Sequence, residues 1–221
     1  MAVLTSPHLE TISPELMNLL AYIGQQAFAA RFYLAGGTAL ALQLGHRRSV
    51  DLDFFSATDQ VHGRTRLEII TALSRTKPEV IENADGNLLL LVDGIHVGFF
   101  SYGYPLLDPG LEFQNVRLAS LLDLGLMKLD ALMGRGSRKD FFDVYVLCQN
   151  IPLDDLLAAG ERKYPQMRDF ALMAVESLVM FDNAERDVQP ELLVDLPWQS
   201  VKQYFIAQAQ ELGKRWFLAT R

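Results

Sequence analysis

The stretch Tyr33-Leu34-Ala35-Gly36-Gly37-Thr38, followed after a short segment by His46-Arg47-Arg48-Ser49-Val50-Asp51-Leu52-Asp53-Phe54-Phe55, decides how this chain is read. Phe32 to Leu34 predicts a short strand. The good helix formers Ala39 to Gln43 predict a helix that starts at Thr38 and ends at Gly45. Val50 to Phe55 alternates and predicts a second strand. Residues two apart in a strand point to the same face, so Asp51 and Asp53 present two carboxylates side by side while Val50, Leu52 and Phe54 face the other way. Two acids held that close repel each other unless a cation sits between them. Oxygen ligands at this spacing suit Mg²⁺, which keeps several waters and takes its other ligands from substrate phosphates. That is half of a two-metal phosphoryl-transfer site. Upstream, paired glycines at the start of a helix let backbone N–H groups approach a phosphate, the helix dipole favours the anion, and Thr38 adds a hydroxyl. Taken alone, Gly-Gly is a turn and Asp-x-Asp a solvated strand face. Their order, their spacing and the bulky apolar residues around the acids join them into one phosphate and metal site.

Outward from this block the chain changes character. Before it, Ser13 can cap a helix that opens with Pro14 and carries an apolar stripe of Leu16, Leu19, Leu20, Ile23 and Phe28. After it come a helix around Leu67 to Leu73 and two strands, Leu88 to Val92 and Ile95 to Ser101, flanking Asp93-Gly94, a pair that favours a type I′ hairpin. Beyond about Val116 the pattern is helical throughout: 118–133, 138–149, 154–163, 166–181 and 198–218. Pro105, Pro109 and Gly110 break periodicity in between and place the junction at residues 105–118.

Composition narrows the function classes. Half of the 221 residues are apolar and 21% are charged, which excludes a disordered chain, and no apolar run reaches the eighteen residues a bilayer span needs. The expectation is a soluble, cytoplasmic protein without a membrane partner. One cysteine, Cys148, and four histidines leave no internal disulfide and no zinc cluster at the usual spacing. A formal charge of −7 argues against a surface coated for nucleic-acid binding. A Walker A loop, a dinucleotide fingerprint and a Gly-x-Ser-x-Gly elbow are all missing.

A second constellation lies in the helical half, from Lys128 through Gly134-Arg135-Gly136-Ser137-Arg138-Lys139-Asp140 to Asp143. Lys128 sits amid Leu124, Leu126, Leu129 and Leu132, so it either snorkels to water or has a partner. Gly134 and Gly136 break one helix, Ser137 can cap the next in a capping box with Asp140, and Asp140 and Asp143 are spaced to share a face.

Together these motifs resemble the nucleotidyltransferase superfamily of DNA polymerase beta type, and most closely the AbiEii/AbiGii toxin family of bacterial nucleotidyltransferases. The likeness covers about Phe32 to Leu147. It implies an α+β fold: a polymerase-beta-like core of mixed sheet flanked by helices in residues 1–117, then a helical bundle in 118–221. It implies a Mg²⁺-dependent enzyme that moves a nucleoside monophosphate from a nucleoside triphosphate to an acceptor, either an RNA or tRNA end or a protein, and that acts as a toxin restrained by a separately encoded antitoxin. Carried over residue by residue, it makes Asp51, Asp53, Lys128 and Asp140 catalytic and Asp51 and Asp53 the metal ligands. Gly36, Gly37, Thr38, Arg48, Ser49 and Lys128 would hold the nucleotide, with His96, Arg135 and Asp143 in support. The superfamily commonly carries a third carboxylate on a later strand, and Gly98 falls where it is expected. Either His96, two residues away on the same face, or Asp140 and Asp143 from the helical side would then fill the gap. The contrasting expectation is a relative that kept the fold but works through nucleotide binding or protein contacts.

Overall fold

The computed structural model describes residues 1–218, and the chain divides into two compact units, Met1–Leu124 and Gly125–Arg221. The first unit runs β1 (Ala2–Val3), α1 (Pro14–Gly24), β2 (Tyr33–Ala35), α2 (Gly36–Leu44), β3 (Leu52–Ser56), α3 (Gly63–Ala72), β4 (Glu79–Ala84), β5 (Asn87–Val92), β6 (Ile95–Ser101), β7 (Leu111–Phe113) and β8 (Val116–Leu118). The strands form one mixed sheet in the order β1-β7-β8-β2-β3-β6-β5-β4. β3 runs antiparallel to β2 and parallel to β6, which sets the two acid-region strands side by side at the centre.

Alternation decides which face is covered. Leu34, Leu52, Phe54, Leu88, Leu90, Val97 and Phe99 are fully or almost fully buried, and Phe99 meets Phe28, Phe32 and Phe54 at ring distances of 5.1 to 5.5 Å. Their strand neighbours Asp53, Phe55 and Phe100 point to the opposite face and stay partly exposed. The apolar positions of the centre therefore seal one face and leave the acids on the other. Val50 departs from the expected pattern: β3 begins at Leu52, so the alternation stops short of Val50, which is exposed.

Local signals account for most element ends. The Ser13 hydroxyl accepts from the Leu16 N–H at 3.2 Å and Pro14 opens α1. Gly45 ends α2 at φ +68°, and its N–H donates to the Ala41 carbonyl. Asp93 and Gly94 both take positive φ, as a type I′ turn requires. The stretch read as a junction contains more structure than expected. β7 and β8 form a hairpin around Gln114 and Asn115, both at positive φ, and β8 lies parallel to β2 inside the sheet. Asn115 suits such a turn, but Gln114 does not, and the three-residue strands on either side are too short to show alternation. The Asp123 carboxylate then accepts from the Leu107 N–H at 3.0 Å, the Asp108 N–H and the Ser120 hydroxyl. That ties the first turn of α4 (Leu121–Gly134) to the first unit, and the division falls after Leu124, within the helix, not before residue 118.

The second unit continues α4 and adds α5 (Arg138–Cys148), α6 (Leu153–Lys163), α7 (Phe170–Ser177), α8 (Asp182–Arg186) and α9 (Trp198–Leu218). Phe141 is at its centre, with Phe181, Trp198 and Phe205 at ring distances of 5.1 to 5.6 Å. The single helix expected over 166–181 is shorter: Pro165 is followed by turns before α7, and α8 is separate. No helix among the described residues is long and apolar enough to cross a membrane.

Candidate functional site

The β2–α2 turn builds the first half of the site. Ala35 pairs with Asp53 across β2 and β3, so the chain leaves β2 beside that carboxylate. Gly36 follows at φ +66°, and a Cβ there would overlap Asp53 Oδ2, which leaves glycine as the residue that fits. A Cβ on Gly37 would overlap the Arg47 guanidinium and lie 3.1 Å from Ser49 Oγ. Gly36, Gly37, Asp53, Arg47 and Ser49 therefore converge. The helix opens at Gly36, two residues earlier than expected, and Ala35 has no side chain that could cap its first-turn N–H groups. Those groups and the helix dipole favour an anion at this end.

Thr38 and Ser49 were expected to face a nucleotide, and the structure turns both inward. Thr38 is buried; its hydroxyl is 2.9 Å from Ser49 Oγ and bonds the Asp51 carbonyl. Ser49 donates its N–H to Thr11 O at 2.8 Å. These bonds hold the backbone that carries Asp51, so the two residues position the acids. Arg48 is exposed, whereas Arg47, which the sequence reading passed over, is buried, donates to the Arg48 carbonyl at 2.9 Å and lies against Gly37. In an adjacent pair of arginines, nothing short of the tertiary structure tells which one turns in.

Asp51 precedes β3 by one residue and Asp53 lies within it; both are partly exposed. In the parallel register of β3 and β6, Asp53 stands beside Gly98 and Leu52 beside Val97, which brings Asp51 next to His96. His96 Nδ1 is 3.5 Å from Asp51 Oδ1. Gly98 is thus the neighbour of Asp53, the place from which a third acid would reach the pair. A Cβ on Gly98 would overlap the ring edge of Phe100, so that place is filled by an aromatic ring. Phe100 continues into a row: Phe55 lies 5.1 Å from it, Tyr33 stacks on Phe55 at 6.2 Å, and Tyr102 meets Phe55 edge-on at 5.4 Å. Burial, with the Asp123 charge adding to it, pushes the Tyr33 phenol well above its ordinary value.

The donor set suits a hard divalent cation in part. Two carboxylates two residues apart are the protein share that Mg²⁺ usually takes beside water and substrate phosphates. Among the described residues no group of three or more His, Cys, Asp or Glu side chains is placed to hold a metal ion.

The second constellation lies wholly in the second unit and is a closed ion network. Lys128 is buried, with its Nζ 2.9 Å from Asp140 Oδ1 and 2.7 Å from Asp143 Oδ2. Of the two possibilities for this lysine, a partner and not solvent is the outcome. Arg135 donates to Asp140 through Nε at 2.7 Å and Nη2 at 2.8 Å, and the Ser137 hydroxyl adds a bond of 2.5 Å. Ser137 stands at the N-cap position, but its hydroxyl bonds the Asp140 side chain and no backbone N–H, so the capping box does not form. Burial by itself would raise the Asp140 carboxyl; the Arg135 bonds, the Lys128 and Arg135 charges and the Ser137 bond outweigh it and hold the group well below the carboxylate range. Asp140 is thereby held as a charged carboxylate between Lys128 and Arg135. Asp143 is buried beside it.

A family model described as "Nucleotidyl transferase AbiEii toxin, Type IV TA system" matches residues 18–88, the span that holds the β2–α2 turn and the acids. An uncharacterized protein of Aquifex aeolicus (strain VF5) is 34% identical over 185 residues, covering 81% of this chain and 87% of its own. Among solved structures, a candidate nucleotidyltransferase from H. pylori superposes with a TM-score of 0.52 at 15% identity, over 91% of this chain and 93% of that one. ANT(2'')-Ia in complex with adenylyl-2''-tobramycin gives 0.53 at 14% identity, over 69% of this chain and 98% of that one. At such identities these two likenesses speak for the fold, a polymerase-beta-like nucleotidyltransferase core of mixed sheet flanked by helices.

Proposed function

Because this chain belongs to the AbiEii nucleotidyltransferase toxin family, we propose that it transfers a nucleoside monophosphate from a nucleoside triphosphate to an acceptor hydroxyl. The observation that carries this reading is the β2–α2 turn, where Gly36 leaves room for the Asp53 carboxylate and Gly37 lies against Arg47. The first-turn N–H groups of α2 and the Arg47 guanidinium bind the triphosphate, and Thr38 and Ser49 hold the loop from within. Asp51 and Asp53 would hold Mg²⁺, whose charge offsets that developing on the phosphates during transfer. The acceptor oxygen attacks the α-phosphorus in line and gives its proton to solvent water, while the bond from the α-phosphorus to the oxygen bridging it to the β-phosphate breaks and that oxygen leaves with pyrophosphate. In the second unit, the Lys128 network fixes α4 against α5 as a structural device. Family membership further supports a cytoplasmic toxin, an RNA or tRNA end or a protein as acceptor, and an antitoxin partner.

Phe100 over Gly98 favours a second reading, in which nucleotide is bound without turnover and the protein acts through contacts. Incubation with each α-³²P-labelled triphosphate, Mg²⁺ and an RNA or protein pool separates the two. Label on a macromolecule that disappears with Asp53→Ala supports transfer. Calorimetric binding of a triphosphate with no label on any acceptor supports the second reading.

A further inference from the structure

On the acid-bearing face, strand pairing lays out a strip that crosses the sheet through Asp53. Asp53 has Ala35 of β2 on one flank and Gly98 of β6 on the other. Beyond β6 stand Leu89 and Leu91 of β5, and beyond these stand Glu82 and Glu79 of β4. Strand spacing puts Leu89 about 10 Å and Glu82 about 15 Å from Asp53. The Phe100 ring leans back over Gly98 and takes the space of a Cβ there. Leu89, Leu91 and Phe100 are partly exposed, whereas Leu88, Leu90 and Phe99 of the opposite face are fully buried. The strip therefore changes character in order: the Gly36 turn with Arg47, the acids, an apolar patch, then two exposed carboxylates.

In-line displacement sets the attacking oxygen opposite the leaving pyrophosphate. In the transferase reading, on which this inference rests, the pyrophosphate lies at the start of α2, on the β2 side of Asp53. The acceptor then enters from the β6 side, over Phe100, Leu89 and Leu91. We infer that this acceptor is a tyrosine hydroxyl on a protein segment with basic residues around it. A phenol carries its hydroxyl at the end of a flat apolar ring, so the ring lies on the patch while the oxygen points at the α-phosphorus. A serine or threonine side chain is too short to cover that patch. An RNA end would bring phosphates over Glu79 and Glu82, and β4, β5 and β6 contain no lysine or arginine to meet them. Lysines beside the tyrosine complement the same two glutamates. In the reaction the phenol oxygen bonds to the α-phosphorus, its proton passes to water, and the bridging oxygen leaves with pyrophosphate.

The test uses the full chain with Mg²⁺ and the four α-³²P-labelled triphosphates. The acceptors are a peptide with one tyrosine between lysines, the same peptide with serine or phenylalanine in that place, and a short RNA with a free 3′ hydroxyl. The expected result is label on the tyrosine peptide, none on the phenylalanine peptide, and at least about tenfold less on the serine peptide and the RNA. Leu89→Gln and Leu91→Gln, at partly exposed positions, should each raise KM for the tyrosine peptide about tenfold, with kcat and triphosphate affinity unchanged. Glu82→Gln should raise it about threefold at low salt. RNA or the serine peptide labelled as well as the tyrosine peptide, or a KM that neither leucine variant moves, overturns the acceptor assignment. So does label that appears only when an RNA or protein pool replaces these acceptors. The transferase reading survives each of those outcomes if Asp53→Ala abolishes the label; label that persists in that variant, or no label on any acceptor or pool, overturns the transferase reading itself.

Discussion

Asp51 and Asp53 in the first unit stay partly exposed at the head of a strand, whereas Asp140 and Asp143 in the second are wholly buried and bound by Lys128, with Arg135 closing on Asp140. The helical pair shares a face by its spacing of three residues, and of the other pair Asp53 lies in β3 and Asp51 just before it. What separates them is burial: the helical pair is closed off from solvent and the strand pair is not. Lys128 and Arg135 belong to the same unit as their acids, so that network is complete without a ligand and serves stability. The Asp51–Asp53 edge is partly exposed, with an imidazole and the start of α2, whose N-cap residue is Ala35, beside it. Two like charges on one face are thus a poor guide to function until the location of the cation is known.

The largest expected effect breaks this contrast at the first pair. Asp53→Ala should lower transfer about a thousandfold, by loss of charge stabilisation, while the melting temperature moves by less than about 2 °C, because the residue is partly exposed. A melting temperature that drops sharply would make Asp53 a structural acid like Asp140. The second substitution inverts the pattern. Lys128→Ala leaves two buried carboxylates without their shared ammonium and should cost about 3 to 5 kcal/mol in urea unfolding. Replacement by Ala with stability unchanged would mean that the network contributes nothing.

Acidification sharpens the same distinction. The Asp140 carboxyl is held below its unfolded value, about 3.9, so its stabilising contribution is fully present above that pH and is lost as pH falls below it toward the folded value. Unfolding free energy should therefore decline on going from about pH 5 to pH 3, and Asp140→Asn should flatten that part of the profile; an unaltered slope in the variant would count against the network. The smallest effect is expected from Ser137→Ala. It removes one bond to the Asp140 carboxylate and should cost about 1.5 kcal/mol, read by the same denaturant titration at pH 7.

Periodicity and turn chemistry by themselves determined a good deal: the Ser13-Pro14 start of α1, the Gly45 stop, the Asp93-Gly94 hairpin, the helical second half, and the coming together of Gly36-Gly37 with Asp53. Each depends on a few neighbouring residues, and so does the family resemblance, which lies in short motifs. Tertiary structure alone decided the rest. It turned Arg47 inward and left Arg48 outside, consumed the Thr38 and Ser49 hydroxyls in holding the loop, and drew β8 into the sheet beside β2. It closed Lys128 onto two acids from the next helix and laid Phe100 where a third carboxylate would stand. The physical reason is range. A cap, a turn or an alternating strand is settled by contacts a few residues apart, but the partner of a charge or hydroxyl is chosen among groups distant in sequence. The cost of burying a polar group without one is what enforces that choice.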